Sequence, residues 1–222
     1  NWELIIVDDC STDNTEEIVS QICDERIRYI KNDINSGAAV SRNKALREAK
    51  GQWIAFLDSD DIWMPEKLEK QICFMERNRC GFSYTNYEEI DVSGEPTGVK
   101  VTGPRRISKI GMFNYCWPGC LTVMYDATKV GLIQINDIKK NNDYAMWLKV
   151  CRKSECYLLD ECLGQYRKGR SGSVSTHSIK TMIGWHYKLY YEAEGMGKFE
   201  SMINTGRNLM FGFYKKKKYV KR

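Results

Sequence analysis

The sequence predicts an α/β fold in which a mostly parallel sheet is flanked by helices. Short apolar runs of strand length alternate with segments whose apolar residues recur at helical spacing. Two of these runs, residues 4–7 and 53–57, are apolar on both faces, as in strands that are covered on both sides. Both runs end in acidic residues. Open α/β sheets bind their ligands beyond the carboxyl ends of the strands, so these two ends are where a site is expected.

The first half of the chain is predicted to alternate strand and helix three times. A first strand at residues 4–7 is followed by a helix whose apolar spacing is set by Thr15, Ile18, Val19 and Ile22. The remaining elements predicted in this half are a strand at 27–30, a helix at 37–50 stopped by Gly51, a strand at 53–57, a helix at 65–79, a strand at 82–87 and a hairpin turn at 91–96.

The second half is less regular. A basic, loop-rich stretch at 98–115 leads to a predicted strand at 121–125, and short strands are expected at 156–159 and 164–167. Between them, a helix is indicated by residues at i, i+3, i+4 and i+7, namely Tyr144, Trp147, Leu148 and Cys151. We expect one domain over 1–175 and a C-terminal helical segment with a basic tail over 176–222.

Two parts of that C-terminal segment have open interpretations. The helix predicted at 179–191 is apolar on most sides, which indicates burial or contact with a lipid or partner. Six of the nine residues at 214–222 are basic. Such a tail fits an anionic membrane surface, where each Lys or Arg contributes about 1 kcal/mol. Nucleic-acid binding and simple solubilisation are the alternatives.

Three carboxylates, Asp58, Asp60 and Asp61, follow the predicted strand at 53–57 within four residues. Anions this close repel each other unless a cation or a donor-rich ligand lies among them. Ligand sets made of oxygen favour a hard ion such as Mg²⁺ or Mn²⁺, which usually binds one or two carboxylates together with substrate phosphates. The alternative is a capped loop before a helix that starts near Pro65.

Other charged residues allow a structural and a functional interpretation. Arg42 shares the apolar face of its predicted helix, so it needs an anionic partner, either a strand-end aspartate or a phosphate. Asp143 is placed at the start of the helix after 142, as a helix cap or as a functional carboxylate. The basic loop 167–173 is expected either to close over a diphosphate or to be a solvated surface loop.

Composition places the chain among ordinary globular proteins. Of its 222 residues 42% are hydrophobic, and the formal net charge is +5. No apolar run approaches the ~20 residues that span a bilayer. The nine cysteines include no C-x-x-C pair and match no zinc spacing even with His177 and His186, so reduced thiols in a cytosolic protein are expected.

Four segments follow one another along the chain: 3–13, 37–49, 56–63 and 142–148, the last with Asn142-Asp143-Tyr144 and Trp147-Leu148. In this order they resemble the family 2 glycosyltransferases of the GT-A nucleotide-sugar fold, which is Rossmann-like. Among relatives, the chain looks most similar to bacterial enzymes that build capsule, teichuronic acid or O-antigen polysaccharides. The family's first strand is expected to precede Asn1. The family usually has Glu-Asp where this chain has Asn142-Asp143.

The resemblance implies roles for individual residues. It implies that Asp143 is the general base, and that Asp60 ligates a divalent Mg²⁺ or Mn²⁺ ion with Asp58 nearby. The implied contacts to the donor are those of Asp8, Asp9, Arg42, Asp58 and Arg167.

The reaction implied is inverting transfer of a sugar from a nucleotide-diphosphate sugar, with a UDP-sugar as the favoured donor, to an acceptor hydroxyl. A saccharide or lipid-linked saccharide is the expected acceptor. The protein is expected in the cytoplasm, with peripheral contact to the inner face of the membrane, and no nucleic acid is expected as a partner. The alternatives are a non-catalytic nucleotide-sugar binding protein and a binder of anionic lipid or nucleic acid through the basic tail.

Overall fold

A computed structural model describes residues 1–169 and 178–221. Its strands are β1 (Leu4–Asp8), β2 (Ile27–Lys31), β3 (Trp53–Ala55), β4 (Ile62–Trp63), β5 (Phe82–Ile90), β6 (Pro96–Val101), β7 (Arg106–Ile107), β8 (Met124–Asp126), β9 (Cys156–Arg167) and β10 (Val220–Lys221). Its α-helices are α1 (Thr15–Ser20), α2 (Ala38–Glu48), α3 (Lys67–Arg77), α4 (Lys109–Asn114), α5 (Ala127–Val130), α6 (Asn142–Lys153), α7 (Ile179–Lys188) and α8 (Lys198–Lys218). The predicted α/β class is confirmed.

The sheet is mixed rather than mostly parallel. Strands β1 and β2 form a parallel pair of their own. In the larger sheet the order is β10-β6-β5-β8-β3, and β9 runs parallel to the long strand β5 while also pairing with β4 and β7. The remaining pairs described are antiparallel, so the expectation of a mostly parallel sheet is wrong for this part. A hairpin joins β5 directly to β6, so the two strands run in opposite directions and pair antiparallel.

Two predicted strands differ in the structure. Residues 121–125 are divided between a 3₁₀ turn, Cys120–Thr122, and β8, because the Thr122 hydroxyl donates to the Gly119 carbonyl over 2.7 Å and holds the turn. The strands expected at 156–159 and 164–167 are one strand, β9. Its polar middle stays in the sheet because Asp160 accepts a hydrogen bond from Asn86 of β5 over 2.7 Å, beside shifts in the pairing register.

Helix α6 anchors the core on the side where the acidic residues lie. Trp147 is buried on this helix, 5.8 Å from the ring of Phe82 in β5 and 5.5 Å from the ring of Phe56. Since Phe56 lies two residues before Asp58, this packing holds the acidic cluster near the start of α6. Such edge-to-face and tilted ring pairs add about 0.5–1.5 kcal/mol each to the burial of the rings.

The basic stretch predicted as a tail is mostly part of the fold. Lys215 to Lys218 form the last turn of α8, and β10 then pairs with β6; Arg222 lies outside the described residues. Lys215 donates from Nζ to the Trp117 carbonyl over 2.7 Å, and burial lowers its pKa to about 8. The tail therefore does not act as one solvated cationic segment.

Helix α7 continues into a π-helical turn, Leu189–Ala193, whose first two residues are buried. Ile183 and Tyr191 stay exposed, so the predicted helix at 179–191 is buried on one side only. Within the two described ranges, no helix combines the length and apolar content that crossing a bilayer requires.

Candidate active site

The acidic cluster forms a tight turn after β3. The Asp61 amide donates to the Asp58 carbonyl over 3.0 Å, and the Asp61 carboxylate accepts the amide N–H of Arg167 over 2.9 Å. Burial, together with the charges of Asp60 and Asp58, raises the pKa of Asp61 to about 7 against the hydrogen bond from Arg167. The three carboxylates therefore act on one another electrostatically, as their spacing in the sequence predicts.

Arg42 joins three segments that are far apart in the chain. It projects from α2, and its guanidinium forms an ion pair with the Asp58 carboxylate. It also donates from Nη1 to the side-chain oxygen of Asn142 over 3.0 Å, at the start of α6. The strand-end aspartate is thus a partner of Arg42 in this structure, and contact with a phosphate stays a prediction.

Asp143 lies in the first turn of α6, next to this ion pair. Burial raises the pKa of Asp143 above its ordinary value. The charge of Arg42 and the Tyr144 N–H, which donates to Asp143 over 2.8 Å, act against burial, while the Asp58 charge adds to it. Asp143 is not the residue that caps the helix: the capping position is taken by Asn141, whose φ of 59° is left-handed.

Asp8 and Asp9 organise the end of β1. Asp8 accepts the amide N–H of Ser11 over 2.8 Å and the hydroxyl of Tyr29 in β2. Burial raises the pKa of Asp8, but these hydrogen bonds outweigh it, so the pKa lies below its ordinary value. Asp9 accepts the amides of Ser36, over 2.9 Å, and Gly37, over 2.7 Å, and so shapes the loop before α2.

Arg167 supports the acidic turn from the end of β9. Its Nε donates to the Asp60 carbonyl over 2.9 Å, and its Nη1 donates to the Asp91 carbonyl over 3.0 Å in the β5–β6 hairpin. The guanidinium thus bonds main-chain oxygens here, and its contact with a donor stays a prediction. Of the predicted phosphate loop 167–173, residues 170–173 lie outside the described residues, as does His177.

The residues near the acidic turn suit a divalent cation that is shared with a ligand. In the described part of the chain, no group of three or more His, Cys, Asp or Glu side chains forms a complete metal site. The candidate donors are the carboxylates of Asp60 and Asp58, which are hard oxygen donors, and their charges add to the effect of burial in raising the pKa of Asp61. This fits Mg²⁺ or Mn²⁺, which takes one or two carboxylates and completes its shell with water and phosphate oxygens.

Sequence reasoning missed several neighbours of these residues. Tyr29 is one, because its contact with Asp8 depends on the parallel register of β1 and β2, and its pKa is raised to about 12 by that hydrogen bond. His186 is another: it lies 3.3 Å from the amide nitrogen of Asn141, just before the first turn of α6, and burial lowers its pKa to about 4. Cys120 is a third, a free thiol whose pKa burial raises well above its ordinary range. All nine cysteines are free thiols, and Cys23 and Cys73 among them are exposed rather than in the core.

Comparison with known proteins gives close relatives by sequence. The chain is 45% identical over 183 residues to "Putative teichuronic acid biosynthesis glycosyltransferase TuaG" of Bacillus subtilis (strain 168), covering 81% of this chain and 72% of that protein. It is 43% identical over 183 residues to "UDP-Glc:alpha-D-GlcNAc-diphosphoundecaprenol beta-1,3-glucosyltransferase WfaP" of Escherichia coli, covering 82% of this chain and 72% of that protein.

Comparison with solved structures supports the fold. The chain resembles the crystal structure of S. aureus TarS 1-349 in complex with UDP-GlcNAc, with a TM-score of 0.69 and 18% sequence identity. The match covers 95% of this chain but 66% of the TarS chain, just under two thirds. The model of the family described as "Glycosyl transferase family 2" matches residues 1–122, more than half of the sequence. This match, together with the identity to TuaG and WfaP over most of the chain, shows that the chain belongs to glycosyl transferase family 2.

Proposed function

We propose that this protein transfers a sugar from a nucleotide-diphosphate sugar to an acceptor hydroxyl, in the synthesis of a bacterial surface polysaccharide. The reaction would depend on Mg²⁺ or Mn²⁺ and would invert the anomeric carbon. A UDP-sugar is the favoured donor, because the relative WfaP is named for UDP-Glc. The proposal places the protein in the cytoplasm, with peripheral contact to the inner face of the membrane.

The observation that carries the proposal is the convergence on Arg42. One guanidinium bonds both Asp58 of the acidic turn and Asn142 beside Asp143. A diphosphate leaving group requires positive charge, which the guanidinium and a cation at the acidic turn would supply. An acceptor hydroxyl requires a base, which the buried carboxylate of Asp143 would supply. Preorganised charges of this kind stabilise the charge that develops in a transition state.

Each group has a proposed role. Asp143 takes the proton from the acceptor hydroxyl, and its raised pKa makes it a stronger base than an ordinary aspartate. Asp60 and Asp58 would hold the cation, which as a Lewis acid supplies charge stabilisation to the leaving diphosphate. Asp8 and Asp9 support the nucleotide pocket, and Arg42 and Arg167 face the diphosphate. Since one displacement suffices, no covalent intermediate is needed and the configuration inverts.

The acceptor is proposed from chemistry and from a relative. The name of WfaP describes a diphosphoundecaprenol-linked GlcNAc acceptor, and a second relative, WfgD of Escherichia coli, carries the same description. We therefore favour a saccharide linked through a diphosphate to a polyprenyl lipid over a free saccharide.

Donor binding is tested by thermal stabilisation with UDP-, GDP- and dTDP-sugars, with and without Mn²⁺. We expect a shift that one nucleotide gives only with metal and that Asp60→Ala abolishes. Asp137→Asn is the control, because this aspartate is exposed in the loop before α6. A shift that is equal without metal, or unchanged in Asp60→Ala, contradicts the metal assignment.

Catalysis is tested by sugar transfer to a lipid-linked acceptor. A positioned base contributes typically about 10²–10⁴-fold, so Asp143→Asn should lower turnover by that factor while the donor-induced shift is retained. Asp137→Asn should transfer at the wild-type rate. Transfer that continues at full rate in Asp143→Asn would remove this residue from the role of base, and donor binding without any transfer would leave a binding protein.

A further inference from the structure

Helix α8 has its polar and apolar faces reversed relative to an ordinary surface helix. The four residues of α8 that are buried are all polar, Ser201, Asn204, Thr205 and Asn208, and beside them the half-buried Phe211 packs against Trp117. Asn208 donates to the hydroxyl of Tyr144 over 3.2 Å, so the helix is held by polar contacts next to the first turn of α6. In a surface helix of a globular protein the apolar stripe normally faces the core.

The outward side of α8 is apolar. At 100° per residue, the exposed residues Phe199, Met202, Ile203, Met210 and Phe213 fall on one stripe that faces away from the buried side. Phe199 is 76% exposed and Phe213 is 73% exposed. Ile203 also lines a shallow groove of about 410 Å³ together with Ile110 of α4, which is 72% exposed, so the apolar surface continues beyond the helix.

Cationic residues border this apolar stripe. Lys198 and Lys216 lie along one edge, Arg207 lies along the other, and Lys217 extends from the stripe itself. Lys216 and Lys217 are exposed. Among the described residues of α8, Glu200 is the one acidic residue, so the basic residues outnumber the acidic ones on this helix. An apolar stripe between cationic edges matches the boundary of an anionic bilayer, where apolar side chains enter the acyl region and lysines reach the headgroups.

We propose that the outward face of α8 binds the surface of an anionic lipid bilayer. The partner follows from charge complementarity: a second copy of this chain would bring the same cationic edges together, whereas an anionic lipid surface neutralises them. The inference rests on the proposed function and deepens it, because the protein would meet a lipid-linked acceptor at such a surface. Asn208 and Tyr144 would then connect the bound helix to the element that carries Asp143.

The test is co-sedimentation of the full chain with vesicles of phosphatidylglycerol and phosphatidylcholine, compared with phosphatidylcholine alone. We expect binding to the anionic vesicles that weakens with salt. Phe199→Ser with Phe213→Ser should reduce it by about tenfold or more, since two large apolar side chains no longer enter the bilayer. Lys216→Gln with Lys217→Gln should reduce it as well, because each lysine contributes about fivefold.

The control is Ile18→Ser with Ile22→Ser, which removes two exposed apolar side chains from the region of α1 and should leave vesicle binding unchanged. Donor-induced thermal stabilisation of the Phe199/Phe213 variant should equal that of the wild type, so a failed nucleotide site and a failed lipid site give different results. The proposal is overturned if the Phe199/Phe213 variant sediments like the wild type. It is also overturned if the wild type does not bind the vesicles and instead forms a dimer that the same substitutions dissociate.

Discussion

At the residue scale, the arrangement around Arg42 shows how a buried charge is retained. Its side chain is 19% exposed, and Asp58 and Asn142 supply an anion and an oxygen acceptor. Removing one partner of such a pair leaves the other charge poorly solvated, which costs far more than the intact pair contributes. On donor binding, a ligand phosphate would pair with Arg42 and a cation would pair with Asp58. Binding therefore need not leave either charge unpaired.

Lys67 is a second buried charge, and it lies away from the candidate site on α3. Its Nζ donates to the Gln71 side chain over 2.7 Å and lies 4.4 Å from the centre of the Trp63 ring, with no carboxylate among these contacts. Burial lowers the pKa of Lys67 to about 7. The unfolded chain, where the pKa is ordinary, therefore binds more protons than the folded chain between about pH 7 and the ordinary pKa of about 10.4.

This difference predicts a pH-dependent stability. Because the unfolded state binds more protons there, the contribution of Lys67 to the free energy of unfolding rises with pH above about 7, by at most about 1.4 kcal/mol per pH unit. Lys67→Met removes that rise. Urea unfolding of both proteins at several values between pH 6 and pH 9 measures it.

The matched control is Lys70→Met, one turn further along α3, whose lysine is exposed and ion-paired with Glu161. Lys70 is charged in both states over this range, so its removal should leave the pH profile of the wild type unchanged. Parallel profiles for the wild type and Lys67→Met would mean that Lys67 is charged in the folded protein.

At the element scale, the loop between β6 and β7 passes very close to β5. A Cβ at Gly103 would overlap the hydroxyl of Tyr84, whose ring is buried and whose hydroxyl donates to the Pro104 carbonyl over 2.6 Å. The Tyr84 ring is held by its burial and by the hydrogen bond of its hydroxyl, so moving either the ring or the loop costs free energy. The close approach of this loop therefore requires glycine.

Gly103→Ala should lower the free energy of unfolding by about 1–3 kcal/mol, as overpacking of a filled core does. Gly206→Ala is the matched substitution, because it lies in α8 with open space around it. There alanine should stabilise the protein by about 0.5–1 kcal/mol. Chemical denaturation of the two variants beside the wild type measures both effects. A neutral Gly103→Ala would show that the loop can move away from Tyr84.

The accuracy of the sequence predictions also varies by element. Helices α2, α3 and α6 were predictable because their apolar spacing records one buried face. Helix α8 has apolar residues at helical spacing too, but they lie on its exposed face, so the spacing does not indicate which side packs on the body. The continuity of β9 was hidden by Asp160 and Glu161, whose partners Asn86 and Lys70 lie far away in sequence.

The same reasoning applies to the candidate site. Acidic residues at strand ends could be recognised from local sequence, and so could Asp143 at a helix start. The partners of these residues could not, because the contacts of Tyr29, Asn142 and His186 depend on strand register and on helix packing. Their predicted roles in binding and catalysis stay predictions.

At the scale of the whole molecule, β5 organises the larger sheet. It pairs with its neighbour β6, with β8 and, in parallel, with β9. The candidate site depends on similarly distant segments, since Arg42 and Asn142 are 100 residues apart in the chain. Contacts that close long loops cost more chain entropy and form more slowly than local ones.

The separation of Arg42 and Asn142 along the chain has a consequence for refolding. Hairpins and helices can regain their structure locally, whereas we expect the contact between α2 and α6 to form only after the strands between them have paired. After dilution from urea, far-ultraviolet circular dichroism should therefore recover before a fluorescent nucleotide analogue binds, and identical rates would contradict this order. We expect a chain cleaved between these two helices to keep much of its secondary structure but to lose the covalent connection that brings Arg42 to Asn142.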